Sequence, residues 1–302
     1  MWTRRTIIAA AAAALLAAPA SASDWRKQYP EVVFSIIPSE NAGGVLNRYE
    51  PLMQHLSEVL GVKVTLRVAN DYAAVIEAMR SGQVHVAHLG PSAYARAYLV
   101  TNGDVEPFAT AKNSAGVVGY YSVLYVRADD KAQSIQDLRG RNLCLVDPNS
   151  ASGNNVPRFT MDKMGIDPET FFGKMVYAGS HENAVTGLLQ GTCDAAFNWW
   201  NTEKESNLMR MAARGAVKPE SVRIILKSDM IPGSPTTLKR SLPEAMKADI
   251  KRAFLEAPVK GREAWLRISD GKATGYQEVT HEDYKVMIDL NRFVDRLRRK
   301  PS

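Results

Sequence analysis

The feature that most constrains the fold is a regular alternation of strand and helix patterns near the start of the chain. Short apolar runs predict three strands, and segments with helical periodicity lie between them. In chain order, these segments are residues 32–37, 49–60, 62–68, 72–80 and 84–89. A βαβαβ order implies parallel strand pairing with right-handed crossovers. The sequence therefore predicts an α/β fold built on a layered parallel sheet.

A second alternation of the same kind begins after a long strand pattern at residues 119–127 and continues to residue 198. Residues 222–227 predict a returning strand, and the pattern is helical from residue 243 onward. We therefore predict two lobes joined by crossing strands, in which residues 23–118 and 228–302 form lobe 1 and residues 119–227 form lobe 2. Ligands of such folds bind in the cleft between the lobes.

The first 22 residues have the pattern of an export signal. Arg4 and Arg5 precede an apolar run, which ends with the small-residue cleavage pattern Ala20-Ser21-Ala22. The arginine pair also fits a twin-arginine signal, so the Sec route and the twin-arginine route both stay open. We predict a periplasmic protein. Removal of the signal takes away two positive charges and no negative one, so the formal net charge falls from +6 to +4.

The remaining chain has no apolar stretch of the about 18 to 20 residues that a membrane helix needs, so we expect a soluble protein. Its positive charges are scattered except at residues 296–300, where a solvated helix end is the simplest explanation, so no nucleic-acid partner is predicted. The five histidines are dispersed, and His85 and His88 are interpreted as strand-end or surface residues. No metal site and no cofactor are predicted.

The chain has two cysteines, Cys144 and Cys193, and both lie beside predicted strands of the second lobe. An oxidising compartment permits a disulfide between them. The alternative is a pair of buried free thiols, because free cysteine is among the residues most often buried.

A turn rich in Ser, Asn and Gly occupies residues 147–157, between a strand pattern at residues 143–146 and a helix pattern that starts near Arg158. A strand, turn and helix of this composition present free backbone N–H groups and hydroxyls where the helix dipole favours negative charge. The turn is therefore either a binding site for a tetrahedral oxyanion or an ordinary capped helix start.

Seven short motifs, in this order, resemble the phosphonate-binding proteins of ABC importers, which are type II periplasmic binding proteins. They lie between about Val32 and about Ala257 and are Asp71-Tyr72, Met79-Arg80-Ser81-Gly82-Gln83-Val84, Gly90-Pro91, Gly119-Tyr120-Tyr121-Ser122-Val123-Leu124, Asp147-Pro148-Asn149-Ser150, Gly179-Ser180-His181-Glu182 and Ile231-Pro232-Gly233. The resemblance implies a monomeric protein that catalyses nothing, closes two lobes around a small phosphonate and delivers it to an ABC permease.

The resemblance also implies which residues bind the ligand. In that family the phosphonate group lies at the helix N-terminus after the Asp-Pro-x-Ser turn. Carried over to this chain, the contacts are the hydroxyls of Ser150 and Ser152, the backbone N–H of Gly153, the ring of His181 as a donor, and the cleft-lining rings of Tyr72 and Tyr120. Donors to a charged phosphonate oxygen make stronger hydrogen bonds than donors to a neutral group.

The chain departs from the relatives that bind 2-aminoethylphosphonate in two places. Those relatives have Ser-Thr in the turn where this chain has Ser150-Ala151, so one hydroxyl is missing. They also hold the amine with two carboxylates. Glu203 matches one of these loosely, and the other falls at Ser234.

Two adjacent tryptophans, Trp199 and Trp200, follow a predicted strand end at Asn198. Beside Tyr72 and Tyr120 they would form an aromatic cage, which favours methylated ammonium groups. The alternative is that they pack under the neighbouring helix. The ligand is thus predicted to be 2-aminoethylphosphonate or an N-methylated derivative, with phosphite, phosphate or a simple alkylphosphonate as alternatives.

Two other classes of function remain open from the sequence. A hydrolase would use Ser150 or Ser152 as nucleophile and His181 as base, but the G-x-S-x-G elbow is absent. A ligand-binding partner of a membrane sensor needs the same two-lobed domain as an importer, so the sequence does not separate these two.

Overall fold

The structure is a computed structural model that describes residues 24–40 and 42–299, so the predicted signal, residues 1–22, lies outside the described residues. The strands are β1 Glu31–Ile36, β2 Lys63–Val68, β3 Val86–His88, β4 Glu106–Lys112, β5 Tyr121–Arg127, β6 Asn142–Leu145, β7 Lys174–Tyr177, β8 Ala195–Thr202, β9 Glu205–Ser206, β10 Val222–Lys227, β11 Pro235–Leu238 and β12 Gly275–Glu278. The α-helices are α1 Trp25–Gln28, α2 Ala42–Leu60, α3 Tyr72–Arg80, α4 Pro91–Val100, α5 Val156–Lys163, α6 Pro168–Phe171, α7 His181–Leu189, α8 Asn207–Ala213, α9 Glu244–Lys260, α10 Arg262–Ile268 and α11 Lys285–Arg299.

Six of these strands form a first sheet in the order β12-β4-β11-β3-β1-β2. Strand β1 pairs in parallel with β2 and with β3, so the parallel pairing that the βαβαβ pattern predicts is confirmed. The late strands β11 and β12 join the sheet in antiparallel pairs with β3 and β4. Helices α2 and α9 cover one face, where Leu52 and Phe254 pack with Phe34 in one buried cluster.

The other strands form a second sheet in the order β10-β5-β8-β6-β7, with β9 paired to β8. Strand β6 is parallel to β7 and β8, whereas β5 is antiparallel to β8 and β10. The two sheets make the fold a two-lobed α/β architecture, as predicted. The lobe boundaries at residues 118/119 and 227/228 stay a prediction; the sheets change between β4 and β5 and again between β10 and β11.

The two segments that run from one sheet to the other lie side by side. Tyr120 N donates to Ile231 O at 3.0 Å, and Ile231 N donates to Tyr120 O at 2.7 Å, which makes an antiparallel bridge. Helix α11 packs against both lobes through buried Asn291, which donates to Ser92 O on α4 and accepts from Asn155 Nδ2. The connection between the lobes is therefore hydrogen-bonded on more than one element.

A disulfide joins Cys144, in β6, to Cys193, in the turn before β8, with the two Cα atoms 5.7 Å apart. It lies beneath α7, where the bare Cα of Gly187 packs close to the sulfur of Cys144. None of the described helices is long and apolar enough to span a membrane. The described residues also contain no group of three or more His, Cys, Asp or Glu side chains that would hold a metal ion.

Candidate ligand-binding site

A cavity of about 240 Å³ lies between the two sheets and is lined by residues of both lobes. Of the residues that the sequence predicts for the site, six line it: Tyr72, Tyr120, Ser150, Ser152, His181 and Trp199. Three do not, namely Gly153, Trp200 and Glu203. Each of the three has a physical reason to lie elsewhere.

The helix that follows the Asp-Pro-x-Ser turn begins earlier than the sequence indicates. A π-helical turn, Ala151–Asn155, runs directly into α5, so the helix starts at Ala151 and not near Arg158. Ser150 is the N-cap, and its Oγ accepts from Gly153 N at 3.0 Å. This bond leaves the first N–H groups, those of Ala151 and Ser152, without an intrahelical partner. Both residues line the cavity. We call Ser150, Ala151, Ser152 and His181 the anion site.

Gly153 was predicted to donate its backbone N–H to the ligand; in the structure that N–H donates to Ser150 Oγ, and Gly153 is not among the cavity-lining residues. A side chain is also impossible there without rearrangement, since an added Cβ would lie 2.3 Å from Val146 Cβ. The glycine is needed so that the turn can pack against the end of β6. The free backbone donors are those of the two preceding residues.

Two tyrosines close the anion site from the side of the crossing strands and the first lobe. Tyr72, the first residue of α3, lies close enough to Ser150 to affect its own pKa, and Tyr120 lies similarly close to Ser152 and Ser234. Burial raises the pKa of both hydroxyls well above the usual value. Both phenols therefore stay protonated at neutral pH and remain available as donors to an oxyanion.

His181 is buried, and its hydrogen bonds determine its tautomer. Asn198 Oδ1 accepts from Trp199 N at 3.0 Å, and Asn198 Nδ2 donates to His181 O at 2.9 Å, so the amide orientation is unambiguous. Nδ1 of His181 lies 3.1 Å from Asn198 Oδ1 and must carry the proton. Burial lowers the pKa of His181 to about 3, so the ring is neutral and Nε2 carries a lone pair. The ring was predicted to donate to the ligand; in this neutral tautomer Nε2 is an acceptor.

The turn also contains a buried carboxylate, Asp147, which contacts both lobes. Its Oδ1 accepts from Asn149 N at 2.7 Å, and its Oδ2 lies 3.5 Å from Tyr72 N at the start of α3. Burial raises the pKa of this carboxyl. Asp147 thus links the turn to the start of α3.

The two tryptophans lie on opposite sides of β8. The strand was expected to end at Asn198 but continues to Thr202, so successive side chains alternate between its faces. Trp199 lines the cavity, with the Arg210 guanidinium 5.2 Å from its ring centroid. Trp200 instead packs with Tyr121 at 5.9 Å between centroids and under Lys227 Nζ at 4.1 Å. The predicted cage therefore does not form from both rings.

The carboxylate that lines the cavity is Glu205, and not Glu203. Glu203 borders a separate surface depression with Trp200. Glu205, in β9, accepts from Ser114 at 3.1 Å and 2.9 Å through Oε2 and from Asn201 Nδ2 at 2.9 Å through Oε1. Since Ser114 follows β4, this contact also joins the two lobes. The hairpin between β8 and β9 shifts the register, and sequence spacing alone did not reveal it.

The sequence also missed several cavity residues with cationic or donor side chains, among them Arg48, His88 and Arg210. His88 is the last residue of β3, as the strand-end interpretation predicted, and it also lines the cavity. Burial, with a contribution from both arginines, lowers its pKa to about 4. No local signal identifies these residues, because they come from α2, β3 and α8.

A hydrolase would need a serine hydroxyl bonded to the histidine. Among the described residues, Ser150 Oγ accepts from Gly153 N, and the ring of His181 bonds to Asn198. This arrangement lacks the nucleophile–base hydrogen bond of a catalytic pair.

Two α/β lobes that meet around a cavity with an anion site at a helix start define a two-lobed ligand-binding protein. The chain matches the family model described as the periplasmic substrate-binding protein of the phosphonate ABC transporter over residues 34–284. It therefore belongs to this family, whose members are substrate-binding proteins and not enzymes.

Two relatives have similar sequences along most of the chain. The phosphate-import protein PhnD of Mycolicibacterium smegmatis is 32% identical over 298 residues, with 91% of each chain covered. The phosphonates-binding periplasmic protein of Escherichia coli is 32% identical over 244 residues, which cover 80% of this chain and 69% of the relative.

Solved structures agree with the fold. The binding protein of an ABC phosphonate transporter from Pseudomonas aeruginosa superposes with a TM-score of 0.79 at 27% identity, covering 89% of this chain and 88% of that one. PhnD1 of Prochlorococcus marinus, solved with methylphosphonate, has a TM-score of 0.76 at 17% identity and covers 88% and 98%. At that identity the second likeness shows the fold alone.

Proposed function

We propose that this protein binds the phosphonate group of a small molecule at the anion site and delivers the molecule to an ABC permease in the inner membrane. The observation that carries the proposal is the helix start at Ala151, where two backbone N–H groups and the hydroxyls of Ser150 and Ser152 meet at one cavity. A tetrahedral oxyanion fits such a group of donors. We further propose export by the N-terminal signal, by either route, and function as a monomer.

Lobe closure is expected to accompany binding. The anion site belongs to the second lobe, whereas Tyr72 belongs to the first, so a ligand that contacts both favours the closed state. Ion pairs add to this, since Arg210 Nε on α8 bonds to Asp270 Oδ2 at 2.8 Å, across the lobes. The permease would then receive a closed, loaded protein.

We propose 2-aminoethylphosphonate or an N-methylated derivative as the ligand. Support comes from Glu205, a carboxylate that lines the cavity and can accept from an ammonium group. The ring of Trp199 adds little to the binding of an ammonium group, because the guanidinium of Arg210 already lies over the ring.

Phosphate is the second candidate, because a relative with 32% identity is a phosphate-import protein. Phosphate, phosphite and methylphosphonate need only the anion site. The cavity extends well beyond that site, to Phe34 and Trp265, which favours a ligand with an organic substituent.

A thermal-shift panel tests these proposals. A ligand at 100 times its dissociation constant stabilises the folded state by about 2.7 kcal/mol, which is readily detected. The panel consists of methylphosphonate, 2-aminoethylphosphonate, its N-methylated forms, phosphite, phosphate and choline. Stabilisation by the phosphonates but not by choline is expected. If phosphate alone stabilises the protein, the phosphonate proposal is wrong, and if no oxyanion does, the assignment of the anion site is wrong.

A further inference from the structure

One part of the cavity is formed by cationic and hydrogen-bond-donating side chains that the anion site does not use. Arg48, His88 and Arg210 line it, and we call these three residues the arginine end. The low pKa of His88 arises partly from the two arginines, so the three side chains lie close enough to interact. Within the described residues, none of the three hydrogen-bonds to Ser150 or Ser152.

The carboxylates that neutralise these arginines lie behind them. Glu40, which is 4% exposed, accepts from Arg48 and from Arg214, and Asp270 accepts from Arg210. Neither Glu40 nor Asp270 is among the cavity-lining residues. These ion pairs hold the guanidinium groups in place, while only the arginines border the space that a ligand occupies.

The guanidinium of Arg48 also has an unused donor. Its other two nitrogens bond to Ile268 O and to Glu40, but Nε is buried and has no hydrogen-bond partner among the described residues. Buried donors without a partner are rare in native proteins, because each costs the desolvation energy of the group. Arg48 nevertheless lines the cavity, so its cationic side chain borders the space available to a ligand.

We propose that the arginine end binds a carboxylate on the organic part of the ligand, so that a phosphonate with an added carboxylate, whether or not it also has an amine, binds more tightly than the same phosphonate without it. This inference rests on the proposed function for the other end of the ligand. Phe34, Leu52 and Phe254 line the same cavity and provide an apolar wall for the methylene groups between the two anions. A guanidinium group matches a carboxylate in charge and in planar geometry.

A bare ammonium group suits this end poorly. The guanidinium of Arg210 lies over the ring of Trp199, 5.2 Å from the ring centroid. A second cation there would be repelled by Arg210. Glu205 remains available to an amine elsewhere in the cavity, so a ligand with both an amine and a carboxylate is compatible with this inference.

The test is isothermal titration of the purified protein with methylphosphonate, 2-aminoethylphosphonate, phosphonoacetate and 3-phosphonopropionate. We expect at least one of the two carboxylated ligands to bind about tenfold tighter than methylphosphonate, which corresponds to one added charged hydrogen bond. If methylphosphonate binds and neither carboxylated ligand binds more tightly, this inference is wrong and the proposed function stands. If none of the four binds, the proposed function itself fails.

Two variants locate the effect. Arg48→Lys keeps a positive charge beside Glu40 but removes Nε, and it should bring the affinity ratio of the carboxylated ligand to methylphosphonate close to one. Arg214→Lys is the matched control, because Arg214 pairs with the same carboxylate but does not line the cavity, and it should keep the wild-type ratio. A ratio that survives Arg48→Lys would overturn the assignment. The wild-type comparison remains decisive if a variant does not fold.

Discussion

The anion site and the arginine end are assembled in different ways, although they belong to one cavity. The anion site consists of consecutive residues at the start of one helix, with His181 from another helix of the same lobe. The arginine end takes Arg48 and His88 from the first lobe and Arg210 from the second. The first can therefore exist in an open protein, whereas the second is complete only when the lobes meet.

This difference suggests a division of roles between the two ends. On the proposed function, a preformed anion site would capture any small oxyanion of suitable shape, because its donors do not depend on closure. The arginine end and Glu205 would then contact the substituent as the lobes close, and so would discriminate among ligands. General affinity would come from one end and specificity from the other.

The largest expected effect is the loss of general affinity in Ser150→Ala. Removing a hydroxyl that bonds to a charged group should weaken binding of every phosphonate by about 1–3 kcal/mol, measured by titration calorimetry. Ser206→Ala is the matched control, because Ser206 also caps a helix, through Met209 N at 3.2 Å, but does not line the cavity. Both variants should lose stability as caps, yet only Ser150→Ala should lose affinity. Equal affinities in the two variants would contradict the anion site.

A smaller effect, also at the anion site, concerns pH. Neutral His181 has a lone pair at Nε2. A phosphonate oxygen can hydrogen-bond to Nε2 only if the oxygen is protonated or the ring takes up a proton. A phosphonate loses its second proton at a higher pH than a phosphate monoester, near or slightly above neutral pH, and in more alkaline buffer binding of the dianion takes up one proton. Affinity should therefore fall by up to about tenfold per pH unit in alkaline buffer.

The measurement is calorimetry of methylphosphonate binding in two buffers with different ionisation enthalpies, which reports the number of protons taken up. His181→Gln should bind more weakly and with a smaller pH dependence, since its amide N–H donates without a proton change. Affinity that stays constant between about pH 7 and pH 9 would show that His181 does not present a bare Nε2 to the ligand.

The smallest expected effect concerns Glu205 and ligands with an amine. Glu205→Gln should weaken 2-aminoethylphosphonate binding by about 1 kcal/mol and leave methylphosphonate binding nearly unchanged, because only the first ligand has an ammonium group. Glu203→Gln is the control, since Glu203 lies outside the cavity. If Glu203→Gln weakens 2-aminoethylphosphonate binding instead, the carboxylate that contacts the ammonium group is Glu203 and not Glu205.

Much of this architecture can be predicted from local sequence. The alternation of strand and helix patterns predicted the α/β fold, and the composition of the turn that contains Ser150 and Ser152 predicted a helix after it, although the helix begins at Ala151 and not near Arg158. Caps and helix starts depend on neighbouring residues, so a short stretch of sequence reveals them. The position of Trp200 could not be predicted in this way. The sequence indicated a strand end at Asn198, whereas β8 continues to Thr202 and turns the two tryptophans to opposite faces.

The sequence by itself determined the class of fold and the presence of a capped helix after β6, because strand periodicity and helix capping act over a few residues. Only the tertiary structure decided which charged groups share the cavity. Arg48, His88, Glu205 and Arg210 come from four different elements and meet through the pairing of strands and the contact of lobes. No local rule specifies that contact, since it depends on how whole lobes pack.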